Sequence, residues 1–278
     1  MEQVSFLILV VLYKMTPLQS DTLKSLARCS GISRRVRLIL RDNSPQPYGE
    51  AEKKELEALL AGFNYEYRHN GRNEYLSALY NQAILELRPD EYLVILDHDS
   101  RFDETFFVEA ARSICNNPDV DLFLPLVYCG RQLVSPSRMM FFKGKYLSVE
   151  PRGRVSARHA MAINSGMVIS ARYAQGDFPG YDERFHFYCT DCDFMWKFER
   201  LRSHYCVIDY RLQHSLEFYG HAEPFEKKFR RFQEMRRGFL LAMRDRSFWL
   251  YALCFLYMDI YSVKFSVQHR DWRFLFVR

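Results

Sequence analysis

The 278-residue sequence predicts an α/β domain, a mixed sheet flanked by helices, followed by a helical tail rich in basic and aromatic residues. Three observations carry this reading. Apolar runs of strand length alternate with segments of helical periodicity, as expected for a sheet with crossover helices. The unbroken apolar run Tyr92–Leu96 ends directly in Asp97-His98-Asp99, which places carboxylates at a strand's carboxyl end. From Pro224 onward the composition shifts to Arg, Lys, Phe, Trp and Tyr, so residues 1–223 are expected to form the main domain and 224–278 a helical extension. With 48% apolar and 16% aromatic residues, and only 12 Gly and 10 Pro, the chain is neither disordered nor fibrous.

Each element follows from local pattern. Phe6–Tyr13 reads as a buried first strand, followed by a helix near Ser20–Ala27. Val36–Leu40 is a second strand, ending in the turn-forming Asp42-Asn43-Ser44-Pro45. Glu50–Ala61 is helical and Tyr65–His69 a short strand. Leu76, Leu79, Tyr80, Ala83, Ile84 and Leu87 share one helical face. After the Tyr92–Leu96 strand come a helix at Glu104–Cys115 and a strand at Val120–Val127. Residues 128–165 show little periodicity and read as loops or a short hairpin over one face of the sheet, a place for substrate contacts. Met167–Ser170, a helix from Asp191 to Arg202 and the strand Tyr205–Tyr210 complete the expected core.

Charge and cysteine content narrow the function. The net charge is +5, yet eight basic and three acidic residues between Glu226 and Arg246 account for all of it. That excludes a polycation built for nucleic acid and leaves a local basic patch, suited to an anionic membrane surface or to phosphate. Seven cysteines, an odd number, indicate a reducing compartment rather than a disulfide framework. The apolar start follows Glu2 and lacks a cleavage pattern, so a buried first strand is expected there rather than a targeting peptide. Ser247–Met258, uncharged until Asp259, is too short to cross a hydrocarbon core of roughly 30 Å.

Four groups of residues could carry chemistry. Asp97 and Asp99 project to one side at i and i+2, where they suit a hard cation or a ribose and a cation; a solvated turn is the plain alternative. Asp191 opens a helix and is either a general base or, with Thr190 and Asp193, part of a capping arrangement. Cys189 and Cys192 match a C-x-x-C spacing but have no second pair, so they read as ordinary thiols. His214, just after a strand, is either a structural histidine or a third ligand on Mn2+ or a diphosphate-bound cation, and Asp42 is a further sheet-edge carboxylate or simply part of its turn.

Taken together, the segments resemble the family 2 glycosyltransferases of the GT-A (Rossmann-like) fold, most closely the bacterial rhamnosyltransferase-like branch. The resemblance runs over residues 6–240 through Val10-Val11-Leu12-Tyr13-Lys14, Asp42-Asn43-Ser44, Asn73 to Asn81, Leu96 to Ser100, Asn164 to Met167, Gly180 to Glu183, Thr190-Asp191 and Gln213-His214-Ser215. It implies a nucleoside-diphosphate sugar donor, with the nucleoside near Leu12, Asp42 and Asn73 and the ribose or cation at Asp97. It further implies Asp99 and His214 as ligands of Mn2+ or Mg2+, Asp191 as general base for inverting attack, and Arg236 facing the departing phosphates. Thr190 stands where the family has an acidic residue, Tyr75 where a glycine is common, and Arg237 where processive synthases have tryptophan. A single addition to a glycan or lipid-linked acceptor, at the cytoplasmic face of the plasma membrane, is therefore expected. A nucleotidyltransferase would bring a Gly-rich loop after strand one, which Tyr13-Lys14-Met15-Thr16-Pro17 lacks. A silent membrane- or nucleic-acid-binding module need not retain Asp97, Asp99, Asp191 and His214 together.

Overall fold

The computed structural model describes residues 4–141, 143–214 and 225–277. The expected boundary at 223/224 and Ser215 lie outside the described residues. In chain order the elements are β1 (Ser5–Leu12), α1 (Asp21–Ala27), β2 (Val36–Asp42), α2 (Glu50–Leu59), β3 (Asn64–His69), α3 (Leu76–Leu85), β4 (Glu91–Asp97) and β5 (Ser100–Arg101). Then come α4 (Thr105–Asn116), β6 (Leu122–Cys129), β7 (Gln132–Ser135), β8 (Ser137–Met140), β9 (Lys143–Tyr146), β10 (Gly153–Ser156), β11 (Ala160–Met161) and β12 (Val168–Ser170). α5 (Thr190–Leu201), β13 (His204–His214), α6 (Phe225–Arg246) and α7 (Phe248–His269) close the chain, with a short 3-10 turn at Trp272–Phe276.

The main sheet runs β10-β13-β6-β12-β4-β1-β2-β3, with β5 on β13 and β7 on β6. β1 to β4 are mutually parallel, and β12 enters antiparallel between β4 and β6. β1 explains its own composition: Phe6, Ile8, Val10 and Leu12 pack with α1, α2 and α4, while Leu7, Leu9 and Val11 join the core formed with α3 and α5. Alternate side chains of a strand point to opposite faces, so a strand covered on both sides must be apolar throughout. Residues 128–165 are more ordered than their weak periodicity suggests. They supply β7 to β11, including a small sheet in the order β11-β8-β9. Four-residue strands are too short for alternation to register as a pattern.

One buried carboxylate in this core is paired on both of its oxygens. Asp121 is 1% exposed and accepts hydrogen bonds from the Ser170 hydroxyl at 2.5 Å, Arg172 Nε at 2.9 Å and Arg202 Nε at 2.5 Å. Burial alone would raise its pKa, but Ser170 and the two guanidiniums hold it below the ordinary carboxylate value. Such a group stabilises the fold above its unfolded-state pKa and ceases to do so as pH falls through the lower folded value. Asp121→Ala, which strands two guanidiniums, is expected to cost about 3–5 kcal/mol. Chemical denaturation of the variant beside wild type measures this, and a change below about 1 kcal/mol would show that the cluster adds little.

The C-terminal pair packs on the main domain. Gly238 of α6 lies so close to the 188–189 backbone that an added Cβ would meet Tyr188 O and Cys189 Sγ at 3.1 Å. Arg246 sits 4.5 Å over the Trp196 ring and Arg184 joins Asp245 across to α6 at 2.5 Å. α7 corrects the expectation that its apolar stretch stops at Asp259. The Asp259 carboxylate pairs with Arg236 Nη2 of α6 at 2.8 Å, and the helix runs on through it to His269, 22 residues in all. By length and composition alone this helix could cross a membrane.

Candidate active site

The carboxyl ends of β1, β2 and β4 lie level, because Leu12 pairs with Asp42 and Val11 with Asp97. In open α/β sheets this edge is where ligands bind. Asp97 is the last residue of β4, and a tight turn of two residues, His98 and Asp99, returns the chain as β5. β13 then runs antiparallel to β5, with His214 opposite Ser100. That pairing brings His214 to the two carboxylates: its Nδ1 lies 3.2 Å from Asp99 Oδ1 and its Nε2 4.0 Å from Asp97 Oδ2.

The ligand atoms of Asp97, Asp99 and His214 all lie within 4.8 Å of one another. Two hard oxygens and one imidazole nitrogen fit Mn2+, and Mg2+ where waters fill the remaining positions. Burial pulls the His214 pKa below its ordinary value even though the Asp97 charge opposes this, so the ring is held neutral with a lone pair to offer. Two serines brace the arrangement. Ser165 Oγ accepts from the Asp97 amide at 3.2 Å and lies 2.8 Å from Ser100 Oγ, which in turn is 3.4 Å from His214 Nδ1. Thr22 donates to the Asp97 carbonyl and accepts from the Ser100 amide at 3.0 Å, which ties the turn to α1.

Gly166 permits this bracing. Its φ of +90° and its nearness to Pro125, whose Cγ would be 2.8 Å from any Cβ, leave room for glycine only. Its amide donates to the Ile95 carbonyl at 2.7 Å, which sets Ser165 beside Asp97.

Asp191 stands in the first turn of α5 and its Oδ1 accepts from the Cys192 amide at 2.8 Å. Burial, with a smaller contribution from the negative Asp97, raises its pKa above the ordinary carboxylate value. Asp97 is thus close enough to be felt at Asp191. Thr190 does not cap the helix; its Oγ1 accepts from Asn164 Nδ2 at 2.8 Å and anchors the helix start to the loop that holds Ser165. Asp193 is a structural partner, taking Lys197 Nζ at 2.7 Å and the Asp182 amide at 3.0 Å. All seven cysteines, Cys189 and Cys192 included, are free thiols.

The remaining expected residues fall in two other places. Asp42 is fully buried, with Oδ1 accepting from the Ser44 amide at 3.0 Å and Oδ2 from the Tyr67 hydroxyl at 2.5 Å. Leu12 is likewise buried, its carbonyl accepting from the Asn43 amide at 2.8 Å. Asn73 is exposed and accepts from Asn43 Nδ2 at 3.0 Å, while Lys14 donates its amide to Ser44 Oγ at 2.7 Å. Asp42 and Leu12 therefore shape the turn that carries Asn43 and Ser44, and Asn43 ties it to Asn73 in the separate segment between β3 and α3. Arg236 is turned toward α7: it is 4% exposed, bound to Asp259 and 5.1 Å over the Phe255 ring. Among the described residues no contact links it to the Asp97, Asp99 and His214 group. Ser165, Thr22 and Tyr67 have no sequence signal of their own, because their roles come from partners 25 to 75 residues away.

No family model and no curated protein matches this sequence. Solved structures do resemble it. A mannosyltransferase from Pyrobaculum calidifontis in complex with GDP-Man and Mn2+ has TM-score 0.60 and 13% identity over 86% of this chain and 64% of that one. TarS 1–349 of S. aureus in complex with UDP-GlcNAc has TM-score 0.59 and 13% identity over 86% of this chain and 66% of that one. GalNAc-T7 with UDP, GalNAc and Mn2+ gives 0.56 and 12%, over 80% of this chain and 45% of that one. The chain thus spans less than two thirds of the length of each of these structures. The fold is that of the GT-A glycosyltransferases.

Proposed function

We propose that this chain is a metal-dependent glycosyltransferase that moves one sugar, rhamnose or a hexose, from a nucleoside-diphosphate donor to a glycan or lipid-linked acceptor. The observation that carries the reading is the convergence of Asp97, Asp99 and His214 at the carboxyl edge of the sheet, with Asp191 within electrostatic reach. The resemblance to family 2 enzymes of the rhamnosyltransferase-like branch supports inversion at the anomeric carbon and a role in bacterial surface polysaccharide synthesis. Seven free thiols support a cytoplasmic setting, at the inner face of the plasma membrane.

The chemistry follows from the residues. Asp99 and His214 would hold Mn2+ or Mg2+, with Asp97 reaching either the cation or the donor ribose. The cation, when bound, neutralises charge on the departing diphosphate. The nucleoside rests on the Asn43–Ser44 turn that Asp42 and Leu12 support from beneath, with Asn73 beside it. Asp191 accepts the proton of the acceptor hydroxyl as its oxygen attacks the anomeric carbon. A raised pKa makes this carboxylate a stronger base than an ordinary surface aspartate. The glycosyl–phosphate bond breaks as the new glycosidic bond forms, and the nucleoside diphosphate leaves.

A nucleotide-release screen tests the proposal. Purified protein with Mn2+ or Mg2+ and a panel of nucleotide sugars is expected to release nucleoside diphosphate slowly from one donor and to stop when EDTA is added. No release from any donor, together with no nucleotide-induced thermal shift, would sink it.

A further inference from the structure

We infer that α7, with the turn that follows it, is a docking surface that lies in the plane of an anionic lipid bilayer. Trp249, Leu253, Leu256, Ile260, Val263 and Val267 are each more than half exposed. Their spacing alternates four and three, so they form a single unbroken stripe down a helix about 33 Å long. The opposite face, carrying Cys254, Met258 and Ser262, is buried. The apolar surface widens at both ends, through Phe248 at 72% exposed and through Trp272 and Phe276 at 69%. Monomeric soluble proteins rarely expose a contiguous patch of this kind without a partner.

Charge identifies the occupant. All of the chain's positive excess lies in α6, which packs along α7 and is tied to it by the Arg236–Asp259 pair. On the flank of the stripe Lys264 is exposed, and Lys143 from β9 sits 4.4 Å over the Tyr257 ring two turns earlier. Lysines beside an apolar stripe can extend to lipid phosphates while their stems cover hydrocarbon. Aromatic rings at both ends suit the headgroup boundary. A spanning orientation is disfavoured because α7 is docked lengthwise on α6, whose lysines and arginines would be drawn into hydrocarbon. A second copy is disfavoured too. Flanking charges steer which helices pair, and here Asp259 is already taken by Arg236, so a second copy would meet the cationic flank without an acidic partner for it.

The experiment is flotation of the whole chain with phosphatidylcholine vesicles, with and without phosphatidylglycerol, beside the combined variant Trp249→Glu, Ile260→Glu, Val267→Glu. These positions are exposed, so circular dichroism of the variant is expected to match wild type. Wild type should bind the anionic vesicles, and the variant should bind them at least roughly tenfold more weakly. Equal binding by the variant, or none by wild type, would overturn the inference. So would a wild-type dimer that the variant dissolves, or vesicle attachment that survives an alkaline wash as a spanning helix does. No arm uses a sugar donor, so failure here and failure of the transferase reading are read separately.

Discussion

Asp191→Asn is expected to lower transfer by roughly 10²–10⁴-fold, the usual contribution of a positioned general base, while the donor and the cation bind as before. The substitution keeps size and hydrogen-bonding shape. Asparagine can still accept from the Cys192 amide at the helix start, so the local fold is preserved. What is lost is the charge that accepts the acceptor's proton. The competing reading makes Asp191 a helix-start residue whose carboxylate merely favours the positive end of α5. In that case asparagine, an equally good cap, would leave turnover within a few fold of wild type. Nucleotide-induced thermal shifts of both proteins establish that donor binding is intact, and turnover then decides between the readings.

The same substitution has a second signature, of opposite sign to the loss of activity. Burial raises the Asp191 pKa in the folded protein above its unfolded value. The folded state therefore prefers the protonated acid, and the ionised group opposes folding at neutral pH; this opposition fades as pH falls through the raised folded pKa. In the metal-free protein Asp191→Asn is thus expected to raise the unfolding midpoint at neutral pH, with the gain shrinking toward acid. A midpoint that falls at neutral pH would show that the carboxylate stabilises the fold, as a cap does. Inactivity with gained stability is the pattern of a group held in place for function.

The sequence exposes some of these features and conceals others for physical reasons. Asp97 and Asp99 are legible because an apolar run buried on both faces must end where the chain leaves the sheet, and two carboxylates at i and i+2 there can converge on one ligand. Asp191 is legible as a helix start, but its nearness to Asp97 arises only from the packing of α5. His214 is legible as a ligand only through the family resemblance, since a lone histidine more often serves structure; its geometry depends on β13 running four residues past Tyr210, beyond a register shift between Val207 and Arg211. No local pattern announces that extension. Arg236 shows the opposite case. Its motif suggests phosphate contact, yet its partner Asp259 sits 23 residues away on the next helix, beyond any window of helical periodicity. The β7–β11 segments escaped detection because short strands leave no period to read.

Asp99→Ala is expected to abolish cation-dependent transfer and, with it, the stabilisation that Mn2+ gives wild type. A ligand at about a hundred times its dissociation constant stabilises the native state by ~2.7 kcal/mol. For a domain of this size that is a rise of about 5–10 °C in the unfolding midpoint. In the variant the rise should vanish, because only Asp97 and His214 remain, at opposite ends of a 4.0 Å gap. In EDTA, by contrast, the variant should be no less stable than wild type. Without a cation, Asp97 and Asp99 are like charges converging on one neutral imidazole, and removing one relieves repulsion. This crossed result, equal or greater stability without metal and none of the gain with it, separates a ligand from a fold residue. A variant that unfolds readily in EDTA would assign Asp99 to the fold; one that keeps both the Mn2+ shift and turnover would place the cation elsewhere. His214→Ala should fall between, weakening the Mn2+ response without the relief of charge, since the residue it removes is uncharged. The order of the three proteins in Mn2+ titrations therefore reads out which donor atoms hold the ion and which only crowd it.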